Sequence, residues 1–140
     1  MRFLGLVLIL AVAAVAAVEA APTWEVPWWD GSWTYRVPVT VANVVDADYE
    51  GFPIEVVLSD IPAGHMLFPS EVRVLWFNGS GWVAVPSQAY GEERHGDGSI
   101  RSVRVLFLAD VPAGGSRTYY VYYGNPMAVP VEYNLSLIHI

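Results

Sequence analysis

Cysteine is absent from the 140 residues. No disulfide framework, thiolate nucleophile or cysteine-held metal is therefore available, and nothing in the chain depends on the redox state of its compartment. Lysine is absent as well. All seven basic residues are arginine, set against fourteen carboxylates for a net charge of −7. The missing lysine reads as a base-composition bias of the genome and carries no functional signal. The acidic balance disfavours nucleic acid and anionic membrane as partners. The sequence also lacks a glycine-rich phosphate loop, a nucleophile elbow, a histidine pair at zinc spacing and an amphipathic helix of useful length. These absences close the common routes to catalysis, so the expectation is a non-enzymatic domain with no cofactor and no metal.

What is present begins with a leader. Met1 and Arg2 supply a short positive n-region, residues 3–18 form an apolar run, and Val18-Glu19-Ala20 places small residues where a signal peptidase reads them. The pattern predicts a helical signal peptide over residues 1–20, cleaved after Ala20, and a secreted, extracellular or cell-surface location. A retained membrane anchor is the rival, but the run is somewhat short for a span of about 20 residues. The membrane is then met only during export. The mature chain has room for one domain with one modest core.

The organising stretch of that domain is residues 103–126. Val103, Val105 and Phe107 alternate with Arg104, Leu106 and Leu108 at the two-residue period of a strand. Pro112 and Gly114-Gly115 then reverse the chain, and residues 118–123 restart a strand with β-branched and aromatic side chains alone. Other strands are predicted at 34–42, 54–58, 72–77 and 82–85. The last two bracket Asn78-Gly79-Ser80-Gly81, a strong hairpin signal and also a glycosylation sequon at Asn78. Pro38 places the 34–42 strand at a sheet edge. Residues 58–64 (Leu-Ser-Asp-Ile-Pro-Ala-Gly) return almost unchanged at 108–114 (Leu-Ala-Asp-Val-Pro-Ala-Gly), which suggests two quasi-equivalent corners of a double-layered fold. The fold class expected is all-β, an antiparallel β-sandwich, since two apolar sheets need to cover each other. Its organisation is a leader over 1–20, a Trp-rich extended arm over 21–32, the sandwich over 33–126 and a tail over 127–140.

Candidate functional residues are few. Trp28, Trp29 and Trp33 could form a stacking platform for sugars, or could cover an open edge or end of the sandwich. Asp46, Asp48 and Glu50 supply oxygen ligands for calcium but lack a glycine-pivoted loop pattern, and read better as a solvated acidic turn. Residues 86–98 are the one polar stretch with raw material for acid–base chemistry: Glu92, Glu93, His95 and Asp97. Adjacent Glu92 and Glu93 point apart in an extended chain, however, and His95 with Asp97 is too small a set for a metal. This stretch is expected to be a surface loop.

Two motifs carry a family likeness. Trp33-Thr34-Tyr35-Arg36-Val37-Pro38-Val39-Thr40-Val41 and the closing segment 111–125, Val-Pro-Ala-Gly-Gly-Ser-Arg-Thr-Tyr-Tyr-Val-Tyr-Tyr-Gly-Asn, resemble a concanavalin-like β-sandwich domain of unassigned function found in secreted archaeal and bacterial proteins. A weaker likeness links residues 85–88 and 107–120 with the C-terminal β-domains of family-38 α-mannosidases. The first resemblance implies a jelly-roll or concanavalin-like sandwich, and neither implies catalytic residues at positions of this chain. Residues 135–140, Leu-Ser-Leu-Ile-His-Ile, resemble translated sequencing-adapter read-through, so the natural chain is expected to continue past about Glu132. The alternative is a genuine last strand from 129 to 133. The function expected is a non-catalytic, exported module of a larger cell-surface or secreted protein, contacting glycan or another cell-surface protein in adhesion. The alternatives are an accessory domain of a secreted glycan-active enzyme and a structural surface-layer component.

Overall fold

The computed structural model describes residues 6–9, 15–17, 26–131 and 133. Among them are nine strands, no α-helix, and no helix long and apolar enough to cross a membrane. The strands are β1 (Leu6–Ile9), β2 (Val15–Ala17), β3 (Tyr35–Ala42), β4 (Tyr49–Ser59), β5 (Arg73–Phe77), β6 (Trp82–Val85), β7 (Ser87–Arg94), β8 (Ile100–Val111) and β9 (Ser116–Tyr123). They form two antiparallel sheets, one in the order β1-β4-β8-β7 and the other β2-β3-β9-β5-β6.

The alternation of apolar residues dictates how the sheets meet. Val103, Val105, Phe107, Ala109 and Val111 of β8 are fully buried, as are Ile54 and Val56 of β4. Facing them are Val39 and Val41 of β3 and Tyr119, Val121 and Tyr123 of β9, in one continuous core. Burial in that core raises the Tyr119 phenol above its ordinary value and the Tyr123 phenol well above it. The Tyr119 hydroxyl stays satisfied, accepting from the Asp110 N–H at 2.9 Å and donating to the Asp110 carbonyl at 3.2 Å.

The repeated Pro-Ala-Gly does produce equivalent corners. His65 N–H donates to the Pro62 carbonyl at 3.1 Å and Gly115 N–H to the Pro112 carbonyl at 2.9 Å. Gly64 and Gly114 sit third in the two turns at φ +85° and +72°, the left-handed position that a type II turn reserves for glycine. Pro38 pairs with Tyr120 of β9, while β2 reaches β3 only at Thr40–Ala42.

Four expectations need correction. Residues 86–98 are not simply a loop: β7 occupies Ser87–Arg94, and its register on β8 slips between Tyr90 and Glu93 and again at Arg94. Those irregularities, with Gly91 at φ +66°, scramble the two-residue period by which a strand is recognised. For the same reason β4 begins at Tyr49 rather than Ile54, with a register shift between Tyr49 and Phe52 at Gly51. Residues 129–131 and 133 form no strand. In the leader, Leu6–Ile9 and Val15–Ala17 are strands on the outer edges of β4 and β3, where a helix was expected; a short apolar run suits either state. The remaining leader residues, the cleavage point at Ala20 and residues 134–140 lie outside the described residues.

Candidate functional site

The polar stretch consists largely of paired groups. Glu92 pairs with Arg94 at 3.3 Å and Glu93 with Arg101 at 2.9 Å. His95 Nε2 lies 2.6 Å from the Ile61 carbonyl, so that nitrogen carries the proton and donates it. Asp97 accepts from both the Ser99 hydroxyl (2.6 Å) and the Ser99 N–H (2.9 Å), which holds its carboxyl below the usual range. Arg94 donates to the Leu67 and Gly98 carbonyls, and Gly64 N–H donates to the Ser99 hydroxyl. Arg94, His95 and Ser99 thus tie this hairpin to the loop that follows β4, while Glu92, Glu93 and Asp97 pair within the hairpin itself. They do not converge on a point where a substrate atom could sit.

The acidic turn has a similar task at the other end of the sandwich. Asp48 accepts from Ala113 N–H at 2.8 Å. Buried Asn43 donates to the Ala47 and Val111 carbonyls and accepts from Val45 N–H. Among the described residues, no three His, Asp or Glu side chains are grouped to hold a metal ion. Asn78 lies exposed at the tip of the β5–β6 hairpin, its Oδ1 accepting from the Ser80 and Gly81 N–H groups.

The tryptophans form a different kind of arrangement. β9 turns Tyr120 and Tyr122 away from the core, and Leu75 of β5 shares that outer side, yet all three are buried. The arm covers them. Asp30 starts a turn, accepting from Ser32 N–H through Oδ1 and from Trp33 N–H through its carbonyl, so residues 26–33 double back across the sheet. Arg36 of β3 fastens the arm by donating to the Val26 carbonyl at 2.9 Å and the Pro27 carbonyl at 3.1 Å. The Tyr122 hydroxyl accepts from Trp29 N–H and from Arg36. Trp29 lies 5.6 Å from Trp33 and edge-on to Tyr122 at 5.3 Å.

The structure therefore brings the three tryptophans together without making them a flat platform. Trp33 is 5% exposed and Trp29 half-buried; Trp28 remains 44% exposed. The Trp28 indole N–H donates to the Asp30 and Trp33 carbonyls, and the Arg36 guanidinium lies 4.7 Å from its ring centre. A ring held in this way has its orientation fixed before any ligand arrives, which lowers the entropic cost of stacking. Beyond it the face continues through Trp82 and Phe77, 5.1 Å apart, with Trp82 edge-on to Tyr120 and Tyr122. What the tryptophans cover is the broad side of a sheet, neither an edge nor an end. Sequence reasoning missed Arg36 and Tyr122 as their anchors. The available signal was the outward parity of Tyr120 and Tyr122, two large aromatics that need a cover on the side away from the core.

No family model, curated protein or solved structure matches this chain, so the concanavalin-like and mannosidase resemblances gain no support from comparison.

Proposed function

We propose that this chain is an exported, non-catalytic β-sandwich module for adhesion or glycan contact, with Trp28 as its contact residue. The observation that supports this most is the exposed indole of Trp28, fixed on an arm that the rest of the domain holds in place. The polar residues that could have served catalysis are engaged in loop architecture, which favours binding over chemistry. Export rests on the leader pattern of residues 1–20. Within the sandwich class we assign the jelly-roll, concanavalin-like type, a reading that rests on the motifs at 33–41 and 111–125.

A stacked ring contributes about 1 kcal/mol, roughly fivefold in Kd. Trp28→Ala is expected to weaken binding to neutral glycans on an array by about that factor while the protein keeps its folded β spectrum by circular dichroism. Unaltered glycan binding by a folded Trp28→Ala protein would remove the reading.

A further inference from the structure

The leader strands β1 and β2 lie on the edges of β4 and β3, and each ends its sheet. Cleavage after Ala20 takes both away. The sheets that remain are β4-β8-β7 and β3-β9-β5-β6, and each then has an outer strand whose backbone groups lack a strand partner on one side. Such an edge is a template for another strand.

The leader does not cover these edges evenly. β2 pairs only with Thr40–Ala42 of β3, and the part of β3 that it leaves open contains Pro38. β1 pairs only with Val56–Ser59 of β4. The part of β4 left open contains Pro53 and the register shift between Tyr49 and Phe52. Prolines and bulges are the means by which an edge resists unwanted pairing. Each edge therefore guards one part with its own sequence, and the leader covers the rest. The unguarded run is longer on β4. Val56 and Leu58 there point into the core, Val57 points outward and is half-buried, and residues 56–59 carry no charge.

We infer that removal of the leader turns the edge of β4 into a homodimer interface, Val56–Ser59 pairing with the same segment of a second copy. The inference rests on the export reading above. The segment is self-complementary. β4 takes β1 antiparallel, and a two-fold axis normal to the sheet also brings β4 against its own copy antiparallel. Residues directly opposed must share a face. An axis through Val57 meets that condition: it sets Val56 opposite Leu58 of the second copy, both inward. Glu55 then faces Ser59 and Asp60 faces Ile54, so no carboxylate opposes another, and the ladder stops short of Pro53. The product is one continuous sheet, β7-β8-β4-β4-β8-β7, held by main-chain hydrogen bonds as in other strand additions.

The full chain with a specific protease site placed between residues 18 and 23 tests this by sedimentation before and after cutting. The uncut chain should run as a monomer. The cut chain should keep its β circular dichroism spectrum and run at twice the mature mass. Val57→Lys sets cation against cation across the axis and should weaken the dimer by about tenfold or more. Val57→Thr, uncharged and β-branched, should preserve it. An uncut chain that dimerises as readily, or a cut chain that stays monomeric, would overturn the inference. So would a cut chain that keeps the leader peptide bound, one that loses its β spectrum, or a Val57→Lys dimer of full affinity. The N terminus of the exported protein separates this inference from the reading beneath it. Ala21 on a monomer overturns the dimer alone, whereas Met1 overturns both.

Discussion

The two sheets have alike inner faces and unlike outer ones. On the sheet containing β4 and β8, the outward residues of β8 largely meet solvent. Arg104 and Asp110 are exposed and Leu108 half-buried, and only Leu106 is buried, in register between Glu55 and Gln88. Arg104 donates to Glu55 at 2.8 Å. The nearby Tyr90 phenol is pushed up, first by partial burial and then by the Glu55 carboxylate. On the other sheet, Tyr120 and Tyr122 occupy equivalent outward positions and are buried under the arm. The same strand alternation has thus produced a wet face and a dry one. The strand alone does not decide between them; a segment some ninety residues earlier in the chain does (Trp29 to Tyr122, a separation of 93).

Substitutions on the two faces should differ in a graded way. The inner faces should respond alike and most strongly. Val105→Asp and Val121→Asp each place an unpaired charge in the core, costing about 3–5 kcal/mol or more, and neither protein should show a folded β spectrum by circular dichroism. The outer faces should then part company. Trp33→Ala opens a hole beneath the arm and should cost about 3–5 kcal/mol in urea unfolding. Leu106→Ala on the wet face, where water can enter, should cost about 2 kcal/mol, the lower end for such truncations. Equal losses at the two sites would mean that the arm is a passive cover. The smallest effect concerns the turn between β7 and β8. Asp97 titrates below its ordinary 3.8 because Ser99 donates to it twice. Its contribution is therefore complete above that ordinary value and is lost as pH falls through the lowered one. An NMR titration should show the Ser99 amide shifting only in that acidic window, and the shift should disappear in Asp97→Asn.

The regular part of this architecture was legible in the sequence because it repeats a short period. Val103, Val105 and Phe107 point inward as their alternation requires, and Asn78-Gly79 forms the hairpin that its residues demand. The two Pro-Ala-Gly segments form matching turns for the same reason. β7 was not legible, since register slips beside Gly91 break the alternation and its side chains are those of a loop. The start of β4 was hidden likewise by Gly51. The arm was legible in content but not in position. Four tryptophans within ten residues announce contact, but which surface they contact is set by Arg36 and the Tyr122 hydroxyl, and no local pattern connects those to Trp29.

The pairing of β3 with β9 has a mechanical consequence. Tyr35 opens β3 and Tyr123 closes β9, and they face each other as the first rung of an antiparallel ladder. The chain therefore enters β3 and leaves β9 at one spot. A Cβ on Gly124 would lie 2.5 Å from the Tyr35 ring, so that spot is closely packed. Tension applied through both flanking segments would not shear this ladder along its length. It would first peel away the arm at Arg36 and the clip from Arg73 to Val129, then unzip the rungs one at a time from Tyr35–Tyr123 inward. Under load, the domain's resistance resides in its tryptophan arm and two arginines more than in its sheets, so the segment that carries Trp28 would be the first to yield.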